Sequence, residues 1–242
     1  MRVTAADGRN RTKQAVLEWY HRAMQPREIR FLFDYLSPYA YLAWTQIHAL
    51  AERHRCTVEP VPVVLGALLT ANASKGPAEI PAKRAYIIKD VARSAQTLGV
   101  PLVLPPSHPF NPLIALRATY AVSEPQPRRA LIDALFAAAW GGNGGVGERD
   151  DVARAAKRAG LDGAAIVERA QSDDVRALLR ASTDRAIREG IFGVPTMLVA
   201  GEMFWGLDSF GHFERFLRGE ERLDPALFEQ WQGLPASAVR KQ

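Results

Sequence analysis

One cysteine, Cys56, occurs in 242 residues, so no disulfide forms within the chain and no Cys-x-x-Cys pair is available for dithiol redox chemistry. That usage fits a reducing cytoplasm better than an oxidising compartment. Long apolar runs are also missing. None approaches the roughly 20 residues of a membrane-spanning helix, and the N-terminus lacks the continuous apolar centre of a secretory signal. Nor is charge concentrated anywhere. The chain carries a net charge of +5 and a pI near 9.5, but its Arg and Lys alternate with Asp and Glu, as in RDDVARAAKRAG and RASTDRAIREG. No basic block carries stacking aromatics, so these stretches read as solvated helix faces and no nucleic-acid partner is expected. The five histidines are scattered without ligand spacing, and no metal is expected. What remains is an ordinary globular composition, 48% hydrophobic and 24% charged, long enough for one large domain or a core with an insertion.

Against these absences, two short motifs stand out. The first is FLFDYLSPYAYLAW (31–44). Ile29 to Phe33 reads as a buried strand that breaks at Asp34, and Pro38 suits the first turn of a helix carrying Tyr39, Tyr41, Leu42 and Trp44. Ser37 then sits between a strand's C-terminal end and a helix N-terminus, where free N–H groups and the helix dipole favour an anion; a plain N-cap is the other reading. The second motif is IFGVPTMLVAGEMFWGLDSF (191–210). Val194-Pro195-Thr196 leads into the strand Met197–Val199, Ala200-Gly201 turns, and Glu202–Trp205 returns as a hairpin. Gly206 permits a tight exit, and Asp208-Ser209 can cap a following helix. A lone Val-Pro is also consistent with an edge strand or bulge.

Together these motifs resemble the 2-hydroxychromene-2-carboxylate isomerase family, beside the kappa-class glutathione transferases in the DsbA-like branch of the thioredoxin superfamily. The resemblance rests on Phe33-Asp34, Leu36-Ser37-Pro38-Tyr39, Tyr41-Leu42-Ala43, Phe192 to Met197, Glu202-Met203, Trp205-Gly206 and Asp208. Gly76-Pro77, Lys83, Asp90, Gly99-Val100-Pro101 and Trp140 fall in matching places between. It covers roughly residues 28–220 and implies an α/β fold. A thioredoxin-like core is split by a large all-helical insertion between the first βαβ unit and the C-terminal hairpin and helix. The expected organisation is a helical extension at 1–27, a thioredoxin-like domain at 28–63 and 190–220, an inserted helical domain at 64–189 and a tail at 221–242. Expected core elements are a strand at about 29–34, a helix at about 38–54 and a strand at about 57–63. The glycine-rich GGNGGVG (141–147) follows a helix and lacks the Gly-Lys-Ser/Thr ending of a phosphate loop, so it reads as a helix–helix connection.

The resemblance also implies glutathione as cofactor, a small-molecule substrate and a homodimer. Ser37, where redox relatives carry their reactive cysteine, becomes the group that stabilises the glutathione thiolate. Pro195 is expected to be cis, with Val194 pairing through its backbone with the tripeptide. Trp205, Gly206, Leu207 and Asp208 fall at the γ-glutamyl end. Asp208 is a partner for the ammonium, with helix capping its alternative; Trp205 alone reads as core. Glu79, Lys83 and His108 fall on the substrate side, His108 having a surface-loop alternative. Here the chain departs from the family pattern. Ala78-Glu79-Ile80 stands where a polar Asn is usual, His108 where a tyrosine is usual, Leu207 replaces Asn and Ser209 replaces Arg. The expected activity is thiolate addition, bond rotation and elimination on an unsaturated, aromatic carboxylate. A kappa-type transferase and a non-catalytic scaffold are the alternatives.

Overall fold

A computed structural model describes residues 27–235; the helix expected before Pro26 and residues 236–242 of the tail lie outside the described residues. Four strands, β1 (Arg27–Phe33), β2 (Cys56–Pro62), β3 (Thr196–Val199) and β4 (Glu202–Trp205), form one sheet in the order β2-β1-β3-β4. β1 and β2 run parallel around the crossover helix α1 (Pro38–Arg53), whereas β3 lies antiparallel to both β1 and β4. The two strands begin one or two residues earlier than the apolar run suggests, because Arg27 and Glu28 register with Cys56 and Thr57 and extend the ladder past the last buried side chain. β2 lies at an edge, and Pro60 and Pro62 on it deny that edge the donors a further strand would need.

α1 starts where the sequence places it. Ser37 caps it by accepting the Ala40 N–H at 3.2 Å, and Pro38 occupies the first turn, where no N–H is needed. The helix buries Ala40 to Trp44 in an unbroken run, then Ile47, Leu50 and Ala51, more than one amphipathic stripe. The insertion supplies α2 (Leu65–Ala71), α3 (Pro81–Leu98), α4 (Leu113–Ala121), α5 (Pro125–Trp140), α6 (Arg149–Arg158), α7 (Gly163–Arg169) and α8 (Asp173–Arg188). α1 packs between the sheet and α3 and α5, whereas α2 and α8 cover the opposite face, where Leu32 and Val61 meet Leu68 and Ala186. α9 (Phe210–Leu217) and α10 (Pro225–Gln232) follow the hairpin.

The insertion shares its core with the sheet. Phe136 of α5 packs against Phe33, Tyr35 and Trp44 with ring centroids 4.8–6.1 Å apart. Trp140 donates its indole N–H to the Tyr35 carbonyl at 2.8 Å, and the Tyr35 hydroxyl meets Thr119 of α4 at 2.7 Å. Three helices go unannounced in the sequence: α2, whose Leu68 is fully buried, α7, capped by Asp162, and α10, which falls in the expected tail and is capped by Asp224. GGNGGVG does join two helices. Gly142 has a left-handed φ, and a Cβ there would come within 2.9 Å of Val103, which fixes the connection against the extended segment 99–112.

Candidate functional site

β1 and β2 end at Phe33 and Pro62, and antiparallel β3 begins at Thr196, opposite Leu32. The turn after β1 and the proline before β3 therefore meet at one end of the sheet, where open α/β sheets bind their ligands. Ser37 is buried there. Its hydroxyl oxygen accepts the Ala40 N–H, and its hydrogen points to the Val194 carbonyl at 3.4 Å. The Val194–Pro195 bond is cis, as the family resemblance implies. At 3.4 Å the Ser37–Val194 bond is at the weak end of the range, so the hydroxyl hydrogen is easily redirected to a stronger acceptor. Both readings of Ser37 hold: it caps α1 and it faces the second motif.

Several donors around Ser37 are open among the described residues. Pro38 has no N–H, Ala40 serves Ser37, and Tyr41 N–H pairs with the Ser37 carbonyl, which leaves the Tyr39 N–H free at the helix N-terminus. The Val194 N–H likewise has no partner, while the Pro195 carbonyl accepts from Gly206 at 2.9 Å. Asp208 lies in the short turn Leu207–Ser209 with an exposed carboxylate. Neither it nor Ser209 caps α9 by side chain; Ser209 instead donates to the Gly206 carbonyl. The capping alternative for Asp208 is thus replaced by an uncommitted carboxylate. Leu207 is half-buried against the main core. Trp205 is 52% exposed, so its core alternative does not hold: strand alternation turns it outward from β4, where it meets Phe192 edge-on at 5.0 Å. It also covers Gly193, where a Cβ would lie 2.6 Å from the indole nitrogen.

Of the three substrate-side residues, His108 reaches the reactive-site turn. Its Nε2 lies 3.0 Å from the Leu36 carbonyl, and its ring packs on Trp140 and Phe110, so the surface-loop alternative does not hold. Glu79 folds back to accept the Gly76 N–H at 2.6 Å. Lys83 is exposed near the start of α3, without a described hydrogen bond, and its neighbour Arg84 donates to the His108 carbonyl at 3.3 Å.

Two groups were missed. Asp34 is fully buried, with its carboxylate accepting Leu36 N–H at 3.0 Å and Leu65 N–H at 2.9 Å. It ties the Ser37 turn to the start of α2. Burial pushes its pKa up to about 6, and the two N–H bonds hold back part of that rise. Its sequence signal was a lone acid ending an apolar strand, two residues before the N–H it accepts. Asp90 of α3 accepts the Tyr39 hydroxyl at 2.6 Å and the Tyr86 hydroxyl at 3.4 Å. Burial, then Asp90, raises the Tyr39 phenol well above its ordinary value, and Asp208 adds to the rise.

Residues 28–218 match the DSBA-like thioredoxin domain. The chain is 30% identical to the 2-hydroxychromene-2-carboxylate isomerase of Sphingobium xenophagum over 193 residues, 79% of this chain and 98% of that protein. Glutathione S-transferase kappa 1 of Rattus norvegicus is 26% identical over 214 residues, 83% of this chain and 94% of the relative. A solved structure of selenomethionine-labelled 2-hydroxychromene-2-carboxylate isomerase superposes with a TM-score of 0.73 at 26% identity, covering 86% of this chain and all of that one. The chain belongs to the DSBA-like thioredoxin domain family, in the branch that holds these isomerases and the kappa transferases.

Proposed function

We propose that the protein is a glutathione-dependent isomerase of the 2-hydroxychromene-2-carboxylate isomerase type, acting on an unsaturated aromatic carboxylate. The observation that carries this reading is Ser37 at the α1 N-terminus, with its hydroxyl directed at the Val194 carbonyl and open N–H groups on Tyr39 and Val194 beside it. These groups suit a peptide-like thiol. The Val194 N–H and carbonyl offer strand-like pairing to the cysteinyl unit, with Pro195 fixing the segment. The free Asp208 carboxylate suits the γ-glutamyl ammonium, and Trp205, Gly206 and Leu207 wall that end. When bound, glutathione would supply a thiolate nucleophile for reversible addition to a conjugated side chain, the chemistry that frees the former double bond to rotate. For the protein, the task is to favour thiolate over thiol. Ser37 gives up its weak bond to Val194 and donates to the sulfur, while the Tyr39 N–H and the helix dipole add positive potential. Glu79, Lys83 and His108 border the substrate side, with Lys83 the uncommitted cation for a carboxylate.

A kappa-type transferase is the second reading, favoured by the altered substrate side: Glu79 brings a negative charge toward any carboxylate substrate. The lone cysteine supports a cytoplasmic place, and a homodimer is expected to show as twice the chain mass in light scattering. Calorimetry with millimolar glutathione tests the reading. Heat of binding followed by isomerisation of 2-hydroxychromene-2-carboxylate supports it, conjugate formation alone favours the transferase, and no binding leaves the scaffold.

A further inference from the structure

Residues 99–112 run from α3 to α4 past the reactive-site turn as an extended, proline-dense strap. It is anchored at several points. The Val103 N–H donates to the Trp140 carbonyl at 2.7 Å, the Tyr41 hydroxyl donates to the Pro101 carbonyl at 2.7 Å, and Arg84 donates to the His108 carbonyl. A side chain held by such a strap, with its ring packed on Trp140 and Phe110, has little freedom.

What His108 touches decides its protonation pattern. A carbonyl oxygen only accepts, so the ring nitrogen 3.0 Å from the Leu36 carbonyl, Nε2, carries the hydrogen. In the neutral ring this leaves Nδ1 with its lone pair. Nδ1 takes no hydrogen bond among the described residues, and it is not among the side-chain atoms sealed from solvent. The Leu36 carbonyl, meanwhile, belongs to the peptide group that carries the Ser37 N–H. That N–H is held by the Asp34 carbonyl at 3.1 Å and the Leu36 N–H by the Asp34 carboxylate. His108 supplies the remaining restraint on this peptide and screens the negative end of its carbonyl beside the place proposed for a thiolate. The charged groups around it are Arg84 at its own carbonyl and the buried Asp34 behind Leu36.

We propose that His108 is a positioning residue for the Ser37 turn through Nε2 and, through Nδ1, the proton acceptor for a hydroxyl-bearing substrate bound beside that turn. The inference rests on the proposed function. In the proton step the substrate O–H bond breaks, its electron pair stays on the substrate oxygen, and the proton moves to Nδ1. The imidazolium so formed keeps its Nε2–H on Leu36, so the turn is held through the transfer. The same proton returns from Nδ1 when the product forms.

Three readouts on the full chain test this, using wild type, H108Q and H108F. In H108Q the amide nitrogen takes the place of Nε2 and keeps a donor for Leu36, but it offers no base; H108F offers neither. First, 15N NMR of the glutathione-free wild type should show the Nε2–H tautomer of His108; the Nδ1–H form would overturn both roles. Second, the thiolate absorbance of bound glutathione should titrate in H108Q as in wild type and at higher pH in H108F, with affinity for glutathione about two- to tenfold weaker in H108F. Coincident wild-type and H108F curves would remove the positioning role. Third, kcat on 2-hydroxychromene-2-carboxylate should fall in H108Q by about a hundredfold or more at unchanged glutathione affinity. Wild-type turnover in H108Q would remove the proton acceptor. A wild type that binds no glutathione sinks the proposed function and the acceptor role with it, whereas the NMR arm judges the Leu36 contact by itself.

Discussion

The two sides of the candidate site are built on different terms. On the sheet side, polar groups are held in place and left unspent: the Tyr39 and Val194 N–H groups, the weakly bound Ser37 hydroxyl, and the Asp208 carboxylate. On the insertion side more of them are committed, Glu79 to Gly76, Arg84 to the His108 carbonyl and Asp90 to Tyr39 of α1, while Lys83 stays open. Rigidity differs in parallel. Ser37 follows a strand whose last three residues are fully buried, whereas α3 buries only Val91 and Ala95 of its 18 residues. The first side holds its open groups on a rigid frame, and the second rests lightly on the core, where substitutions are tolerated without unmaking the fold.

The comparison breaks down most visibly if the two sides are not one cooperative unit. Phe136 is the residue that binds them, since it comes from the insertion yet packs among Phe33, Tyr35 and Trp44. Phe136→Ala should cost about 3–5 kcal/mol in a single cooperative urea transition. Two separate transitions, or a loss confined to the helical insertion, would show that the sides fold apart.

Asp34 is the second link, through Leu36 on one side and Leu65 on the other. Its folded pKa of about 6 stands above the 3.8 of an unperturbed Asp, so the folded state favours the protonated form. The sign follows: its contribution is most favourable below the unfolded pKa and is lost as pH rises from about 4 through 6. By pH 7 the charged form costs about 3 kcal/mol relative to the acid limit. Measured by denaturant unfolding, wild-type stability minus that of Asp34→Asn should therefore fall across this window. A flat difference would mean that the carboxylate is solvated in a way its burial denies.

How much of this was legible in the sequence depends on the range over which each feature is decided. The Ser37 turn and the hairpin were readable because short-range signals fix them: a strand ending in a polar residue, a proline at a helix start, a turn between two apolar runs. The cis Val194–Pro195 bond was expected from the family resemblance, since a lone Val-Pro by itself also fits an edge strand or bulge. α2 was not. VVLGALLTA contains no charge to mark a helical face, and its Leu68 is buried by tertiary contact. The roles of Asp34 and His108 were hidden for the same reason, since Leu65 and Leu36 come to them only when distant segments meet. For Trp205 the residue alone favoured a core reading, since a lone aromatic on a strand is usually inward, and the alternation of β4 sends it out instead.

Within the sheet side, Ser37→Ala separates cap from thiolate donor. Both roles lose the hydroxyl, but only the second moves the thiol. The variant should stay folded, lose about 1 kcal/mol of stability from the cap, and lose roughly ten- to a hundredfold in turnover near neutral pH, the worth of one hydrogen bond to a charge. Ultraviolet absorbance of the glutathione complex against pH should show the thiolate appearing at higher pH than in wild type. Coincident curves would reduce Ser37 to a helix cap.

The smallest effect is expected at Cys56, and it bounds the site from outside. Cys56 opens β2 opposite Arg27, at the end of the sheet away from Ser37 and Pro195, with its thiol directed to the His54 carbonyl at 3.4 Å. Burial pushes this thiol above its ordinary value, and Arg27 only partly opposes that, so the thiolate is disfavoured where a nucleophile would need it. Serine preserves the size and a donor for His54. Cys56→Ser should therefore bind glutathione with wild-type heat in calorimetry, turn over at the wild-type rate, and lose no more than about 1 kcal/mol of stability. A folded variant without activity would move the chemistry to the other end of the sheet, where none of the open donors around Ser37 could serve it.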